Sequence, residues 1–492
     1  MPQLRTLIEG VAVLAILLAG CSHGRPAANP AAASPSATTS PPASSSSSPS
    51  PSTSPSIAGH RTTVKRTVQG NRGSYSSAVS ANGRYVAFSS DATNLVAHDT
   101  NRASDIFVRD TVARLTKRVS VSSRGAQANE DSFGPSLSAD GRFVAFTSWA
   151  SNLVPGDTNR CIAVADSFEG CGDVFIHDQR TGTTVRVSVS SSGAQGNERS
   201  GGGVISADGR HVAFSSWAST LVPGDTNECS EGTGADEPPG CPDVFVHDLA
   251  SGTTERVSVA PNGSQFNSLS DSPSISGDGT VVAFLTAPDR ERAKAVIYVR
   301  DRVADATAVV PDDPEISRSE GPQAPHLTRD GRTVFYVQAF NLPSRCGQAL
   351  PCTDSAEQIF SYDRRTGSTS RHGPSSTSGG YPSDQILDLS ISPDGRYAVF
   401  SSRAANLVPR DRNRRWDVFL SDMSKETIVP ISVSSGGAQA NRDCWAGAVS
   451  GDGRLVVFVS EASNLVSGDS NRASDIFLRD RVRGVTSRAS IA

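Results

Sequence analysis

The residues S-A-D-G-R-F-V-A-F at 138–146 decide the fold of this 492-residue chain, and they return as S-A-D-G-R-H-V-A-F at 206–214. The Asp-Gly step supplies the positive φ that a tight hairpin turn needs, and a short apolar strand follows it. Seven such turns, 52 to 70 residues apart, occur between residues 75 and 492, with the glycines Gly83, Gly141, Gly209, Gly279, Gly331, Gly395 and Gly453. A period of this length with several strands per unit predicts the blades of a β-propeller.

Each repeat contains four predicted strands, which we name A to D in chain order. In the second repeat they are residues 135–138, 143–146, 174–176 and 186–189. Antiparallel strands alternate in direction, so the A–B and C–D turns share one face of each blade, here the turn face. The B–C and D–A loops share the other face, here the loop face. Binding residues concentrate on loops that a rigid scaffold presents, so the loop face is the predicted functional surface.

The motif S-x-D-G-R-x-V-A-F resembles the WD-like propeller repeat of the TolB family, and the resemblance covers residues 75–492. It implies an all-β, seven-bladed β-propeller of four-stranded antiparallel blades, which we assign to residues 59–492. The chain departs from TolB because a Ser/Pro-rich segment stands where that family has an α/β domain. Residues 62–68 and 486–491 both read like a strand D. One hypothesis is that residues 62–68 complete the last blade and close the ring, which leaves the C-terminal tail outside or extending the sheet.

The N-terminal residues predict export and a lipid anchor. Residues 1–20 form a lipoprotein signal peptide that ends in Leu18-Ala-Gly-Cys21, which resembles a bacterial lipobox with Cys21 as the acceptor of a lipid such as palmitate. The alternative is an ordinary signal peptide with a chance cysteine. Residues 22–58 contain 13 serines and 8 prolines and have little to bury, so we predict a disordered linker over 21–58. The protein would then be extracytoplasmic and anchored to the cell membrane.

The remaining cysteines fall in pairs, each within one loop: Cys161 and Cys171, Cys229 and Cys241, Cys346 and Cys352. In an exported protein this pattern predicts local disulfide bonds that pin the inserted loops. Zinc is the competing interpretation, but no neighbouring histidine pair completes a tetrahedral set. Cys444 has no partner in this scheme.

The B–C loops repeat the pattern N-L-V-x-x-D-T-N, and a further aspartate opens strand C. Oxygen ligands at this spacing suit calcium, and the weak candidate ligands are Asp99, Asn101, Asp105, Asp157, Asn159, Asp173, Asp225, Asn227, Asp243, Asp411, Asn413, Asp417, Asp469, Asn471 and Asp475. The alternative is an Asx turn, in which these side chains hydrogen-bond the local backbone, and it explains the motif without a bound metal. No other cofactor is predicted. The D–A loops carry G-A-Q-x-N, whose repetition from blade to blade favours a bridge between blades; the alternative is that these amides bind a ligand near the axis.

The composition excludes some functions and leaves two open. A mildly negative formal net charge of −4 argues against nucleic-acid binding, and the chain lacks G-x-S-x-G and H-E-x-x-H motifs. We predict a binding module for an envelope protein or polysaccharide at the loop face. The alternative is a carbohydrate-active hydrolase or lyase with carboxylates at the propeller axis. Its weak catalytic candidates are Asp131, Asp271, Asp388 and Asp443.

Overall fold

The fold was analysed in a computed structural model. The structure describes residues 68–159, 171–227, 240–287, 295–312, 321–341, 355–373 and 382–492. These residues form 28 strands in seven four-stranded antiparallel sheets and contain no helix. The seven-bladed β-propeller predicted from the repeat is confirmed. No helix in this part of the chain is long and apolar enough to cross a membrane.

The blades follow one another in chain order, and within each blade the sheet order is A, B, C, D. Blades 1 to 4 comprise β1 (Ser74–Val79), β2 (Tyr85–Ser90), β3 (Asp105–Asp110), β4 (Leu115–Arg118), β5 (Ser132–Leu137), β6 (Phe143–Ser148), β7 (Asp173–Asp178), β8 (Thr183–Arg186), β9 (Ser200–Ile205), β10 (His211–Ser216), β11 (Asp243–Asp248), β12 (Thr254–Arg256), β13 (Leu269–Ile275), β14 (Val281–Ala287), β15 (Val296–Asp301) and β16 (Ala306–Val309). Blades 5 to 7 comprise β17 (His326–Leu327), β18 (Thr333–Asn341), β19 (Ser355–Asp363), β20 (Ser368–His372), β21 (Leu387–Ile391), β22 (Tyr397–Ser402), β23 (Asp417–Asp422), β24 (Thr427–Pro430), β25 (Cys444–Val449), β26 (Leu455–Ser460), β27 (Asp475–Asp480) and β28 (Val485–Arg488).

The A strands line the axis. Each contacts the A strands of both neighbouring blades, and β25 of blade 7 contacts β1 of blade 1, so the ring is closed. Backbone hydrogen bonds also join neighbouring blades, from the first residue of an A strand to the residue before strand C of the preceding blade. The amide of Ser132 in blade 2 donates to the carbonyl of Ser104 in blade 1 at 2.7 Å, and Ser74 donates to Ser474 across the closure at 2.8 Å.

A stacked aromatic pair fills the centre of every blade. Phe146 on strand B lies directly opposite Phe175 on strand C, with ring centroids 5.9 Å apart, and both side chains are fully buried. The equivalent pairs are Phe88–Phe107, Phe214–Phe245, Phe284–Tyr298, Tyr336–Phe360, Phe400–Phe419 and Phe458–Phe477. Offset stacking adds to the burial of these large rings, so the predicted B and C strands are held together by their own apolar residues.

The turn motif has a packing role as well as a conformational one. Gly141 has φ +75°, and a Cβ there would lie 2.4 Å from a ring carbon of Tyr85 in the neighbouring blade. Asp140 accepts from the amide of Arg142 at 2.9 Å, and the Arg142 guanidinium pairs with Asp178 on strand C at 2.6 Å. The D-G-R sequence therefore forms the turn, brings the blades close together and ties strand B to strand C.

Ring closure differs from the prediction. The fourth strand of blade 7 is β28, which pairs with β27, so the C-terminal segment completes its own blade. Residues 62–67 lie outside the described residues. Gln69 pairs with Ile491, as Gln127 pairs with Val121 inside the chain, so the N-terminal residues complete the last D–A motif. The segment that is joined to strand C by a tight turn therefore occupies the strand-D position of blade 7.

Candidate functional site

The two loop-face motifs interlock as one bridge between blades. The Gln127 amide of the first D–A loop reaches back to blade 1, where its Nε2 donates to Thr100 Oγ1 at 2.6 Å. Asn152 of blade 2 donates from Nδ2 to the Gln127 carbonyl at 2.9 Å and accepts from the Asn129 amide at 3.1 Å. The glutamine contact with the preceding blade recurs at Gln195, Gln265 and Gln439, with Thr158, Thr226 and Asp411 as the acceptors. These repeated amides therefore hold neighbouring blades together.

In blades 1, 2, 3 and 7, a largely buried arginine pairs with both aspartates of the predicted calcium site. In blade 1, Nη1 of Arg118 lies 3.1 Å from Asp99 and 3.0 Å from Asp105, and Asn101 Nδ2 donates to Asp105 at 3.0 Å. The equivalent sets are Asp157, Asn159 and Asp173 around Arg186; Asp225, Asn227 and Asp243 around Arg256; and Asp469, Asn471 and Asp475 around Arg488. The guanidinium supplies the positive charge that the carboxylates need.

Burial dominates the electrostatics of these aspartates. Desolvation raises the pKa values of Asp157, Asp243 and Asp475 to about 6, because the nearby guanidinium offsets only part of the cost of burying the charge. Within the part of the chain that the structure describes, no group of three or more His, Cys, Asp or Glu side chains is arranged to hold a metal ion. Calcium binding stays a prediction, and a titration that gives neither heat nor a thermal shift would remove it.

Blade 6 lacks the internal arginine. Strand D carries Pro430 opposite Phe419, where blade 1 has Arg118 opposite Phe107. Asp411 instead accepts from Gln439 Nε2 at 3.1 Å, and Asp417 accepts from Asn413 Nδ2 at 2.6 Å. Burial raises the pKa of Asp417 to about 6. The loop thus keeps its hydrogen bonds with no guanidinium between its carboxylates.

The four predicted catalytic carboxylates lie in four different blades of the structure. Asp131 and Asp443 immediately precede the A strands of blades 2 and 7 and accept backbone amides of the preceding blade, from Ser104 at 2.6 Å and from Trp416 at 3.1 Å. These bonds give both carboxylates a role in joining blades. Asp271 is buried within β13 of blade 4, and Asp388 lies in β21 of blade 6.

Among the four predicted catalytic acids, Asp388 has the most unusual backbone conformation and environment. Its φ of +54° matches the bulge position that Gly134 and Gly202 occupy in blades 2 and 3. Its side chain is solvent-accessible yet densely surrounded by protein, the combination expected of a group that faces the axial channel. Desolvation raises the pKa of this carboxyl, and its hydrogen bond from Ser401 at 3.1 Å opposes the rise.

Four tryptophans at the loop face were missed by the sequence reasoning. The chain has four tryptophans in all, and each stands at the loop-face end of a strand: Trp149 after β6, Trp217 after β10, Trp416 before β23 and Trp445 in β25. All four rings are partly exposed. The aligned repeats already contained this signal, since the rarest aromatic residue clusters at one end of the predicted strands.

The lipidation and disulfide predictions fall largely outside the described residues. Cys21, Cys161, Cys229, Cys346 and Cys352 all lie there. Cys171 and Cys241 are buried before strand C of blades 2 and 3. The three disulfides and the Cys21 lipid therefore stay predictions. Cys444 is a buried free thiol, and burial raises its pKa.

Comparisons with solved structures return matches at low sequence identity. A prolyl endopeptidase is 10% identical and matches 85% of this chain with a TM-score of 0.51. TolB from Acinetobacter baumannii is 16% identical and matches 74% of the chain with a TM-score of 0.37. The β-propeller domain of the Pyrococcus furiosus trilobed protease is 11% identical, with coverages of 85% of this chain and 97% of that domain and a TM-score of 0.48.

The chain spans 65% of the length of that TolB and 49% of the prolyl endopeptidase. No family model and no curated protein matches it. At identities this low, similarity shows the fold alone. TolB proteins from two species are among the similar structures, at 16% and 18% identity and with TM-scores of 0.37 and 0.38.

Proposed function

We propose that this propeller is a binding module for a polysaccharide of the cell envelope and that it binds through its loop face. The observation that carries the proposal is the gathering of all four tryptophans, partly exposed, at the loop-face ends of strands. Aromatic rings stack on the apolar faces of sugar rings, and a partly exposed indole offers such a surface.

The distribution of aliphatic side chains favours a glycan over a protein. Among the described residues, nine large aliphatic side chains are exposed, and Val68 is the one that lies at the loop face. The others lie in C–D turns or on outer strands: Val112, Leu115, Val185, Val303, Val309, Val429, Val482 and Val485. Stable protein interfaces have an apolar centre, and the described part of the loop face offers little to build one.

A matched pair of aromatic variants tests this proposal. Arg199 lies 4.9 Å over Trp217 at the loop face, and Arg396 lies 4.8 Å over Tyr397 at the turn face. We expect Trp217→Ala in the full chain to weaken retention of envelope polysaccharide about tenfold, since a stacked ring contributes about 1 kcal/mol or more. Tyr397→Ala should leave retention unchanged. Affinity electrophoresis measures both, and equal losses in the two variants would contradict loop-face binding.

The proposed location is the outside of the cell membrane, with the chain anchored through a lipid on Cys21. The support is the lipobox-like Leu18-Ala-Gly-Cys21 and the Ser/Pro-rich segment that follows it. Metabolic labelling with a palmitate analogue should mark the wild-type chain, and Cys21→Ser should abolish the label and release the protein from the membrane fraction. A labelled Cys21→Ser chain would contradict the anchor.

The alternative function is a hydrolase or lyase that acts on carbohydrate at the axis, and Asp388 favours it. A carboxyl whose pKa is raised by the surrounding protein is suited to general acid catalysis, and a left-handed aspartate costs about 1 kcal/mol or more of backbone strain. Asp388→Asn removes the titrating proton with little change of shape. Loss of glycan turnover in that variant with unchanged binding would establish the enzyme, whereas a wild-type chain without turnover would exclude it for the glycans tested.

A further inference from the structure

The B–C loop of blade 6 differs in charge from its counterparts. It reads R-D-R-N-R-R at 410–415, where blades 1 and 7 read H-D-T-N-R-A at 98–103 and G-D-S-N-R-A at 468–473. Four arginines against one aspartate give this loop a formal charge of +3, and each counterpart has one arginine and one aspartate. Arg414 recurs as Arg102 and Arg472, so the extra cations are Arg410, Arg412 and Arg415. The other loops form the same inter-blade bonds without them.

The extra arginines are exposed and largely uncompensated. Arg410 and Arg412 make no ion pair with any described residue. The Arg415 side chain is 50% exposed, and its Nη1 lies 3.9 Å from Asp443. Neighbouring Arg403 and Arg442 have exposed pairings, at 3.5 Å to Asp384 and 3.8 Å to Glu461. Exposed pairs at such distances are weak, so the loop presents a local excess of positive charge.

Arg410 occupies a backbone conformation that disfavours it. Its φ is +69°, and the same position is Gly156, Gly224 and Gly468 in three other B–C loops, with φ from +73° to +76°. A side chain in the left-handed region is strained, whereas glycine is not. The equivalent position in blade 1 is His98, at φ +60°, so Arg410 places a cation where three of the other four loops have glycine.

Two of the loop-face tryptophans flank this loop. Trp416 follows Arg415 directly, and its carbonyl accepts from the amide of Cys444 at 2.8 Å, which places Trp445 on the adjoining strand of blade 7. Guanidinium groups bind carboxylates through two parallel hydrogen bonds, and aromatic rings stack on sugars. Cations beside partly exposed indoles therefore match a sugar polymer that carries carboxylates.

We propose that the blade 6 B–C loop binds an acidic polysaccharide of the polyuronate type, with Arg410, Arg412 and Arg415 holding its carboxylates. The proposal rests on the glycan-binding function assigned to the loop face and names the chemical class of that glycan. Because the cations are exposed, binding weakens as ionic strength rises.

The test replaces the extra arginines with the residues of the equivalent loops, in the variant Arg410→Gly, Arg412→Thr, Arg415→Ala. A control removes the same charge from three C–D turns, with Arg180→Ala, Arg365→Ala and Arg483→Ala. Calorimetry on the full chain with alginate, neutral dextran, polyglutamate and polyphosphate gives the dissociation constants. We expect the loop variant to raise the Kd for alginate about tenfold and the control to leave it unchanged.

A pair of single variants separates binding from folding. Arg410→Gly and His98→Gly relieve the same left-handed strain, at φ +69° and +60°, so both should keep or raise the thermal midpoint. Only Arg410→Gly should raise the Kd for alginate, by about twofold to threefold. Equal affinities in these two variants would contradict a role for the Arg410 guanidinium.

The remaining outcomes distinguish this inference from the proposed function. Wild-type affinity for alginate in the loop variant overturns the inference. Binding of polyglutamate or polyphosphate without alginate also overturns it and assigns the loop to an acidic protein or a phosphate polymer. Binding of dextran that depends on Trp217, without binding of alginate, overturns the inference and leaves the proposed function standing. Failure to bind any polysaccharide contradicts both.

Discussion

The described B–C motifs of blades 2 and 6, residues 152–159 and 406–413, share their asparagine hydrogen bonds but differ in where arginine lies. In blade 2, Arg186 is internal, with a side chain only 8% exposed, and lies between Asp157 and Asp173. In blade 6, Pro430 takes its place, and the arginines stand outside on the loop. The asparagine bonds to strand C and to the D–A loop are present in both blades. Hydrogen bonds therefore set the loop conformation, and the internal guanidinium serves to neutralise buried carboxylates.

The largest expected effect comes from removing the internal cation. Arg186→Met should lower the free energy of unfolding by about 3 to 5 kcal/mol, because it leaves Asp157 and Asp173 buried without their counter-charge. Pro430→Met is the control in blade 6, where no charge is lost, and should change stability by less than about 1 kcal/mol. Urea denaturation measures both. Similar losses in the two variants would contradict the neutralising role of Arg186.

A smaller difference is expected for the loop asparagines. Asn413 Nδ2 donates to Asp417 at 2.6 Å in a site without a guanidinium, whereas Asn159 Nδ2 donates to Asp173 at 3.4 Å beside Arg186. Asn413→Ala should therefore cost about 2 kcal/mol and Asn159→Ala about 1 kcal/mol. Denaturation midpoints of the two variants provide the comparison, and a larger cost in blade 2 would show that blade 6 is stabilised in another way.

The buried aspartates should make the free energy of unfolding depend on pH in the acidic range. Asp157, Asp243, Asp417 and Asp475 have folded pKa values of about 6, above an unfolded value of 3.8. Between these values the folded state carries more protons on these groups than the unfolded state, so their contribution to stability falls by about 1 kcal/mol each as pH rises from 5 to 7. Burial lowers the pKa values of His177, His211, His247, His326 and His372, and these groups act in the opposite direction over the same range. The comparison is therefore between the wild type and Asp243→Asn, whose free energy of unfolding should fall less, or rise more, from pH 5 to 7. Parallel pH profiles of the two proteins would contradict the raised pKa of Asp243.

The smallest expected effect comes from placing an arginine on strand D of blade 6, which tests whether it forms the internal ion pair found in blades 1, 2, 3 and 7. In Pro430→Arg the new guanidinium should lower the pKa of Asp417 from about 6. The free energy of unfolding of this variant should then fall less than that of the wild type between pH 5 and 7, by up to about 1 kcal/mol. Parallel pH profiles would mean that the arginine does not reach the carboxylates.

The architecture was predictable from sequence because its determinants are local. Gly141 and the Phe146 strand recur in a pattern that a single chain displays, and each copy specifies the same turn. The role of Asp105 was not predictable, because its cation Arg118 comes from another strand and spacing alone cannot distinguish guanidinium from calcium. The prediction that residues 62–68 close the ring was wrong, because two segments of the chain carry the same strand-D pattern and the pattern alone does not decide between them. Trp416 and Trp445 were missed although their positions relative to the strands were readable.

Hydrogen–deuterium exchange of the full chain, with and without the polysaccharide that it retains from envelope extract, tests most directly which face binds. We predict slower exchange on the loop face in peptides covering 403–416 and 441–446. The C–D turns at 111–114 and 481–484 on the turn face should exchange as before. Protection confined to those turns, with the loop peptides unchanged, would contradict the assignment of function to the loop face.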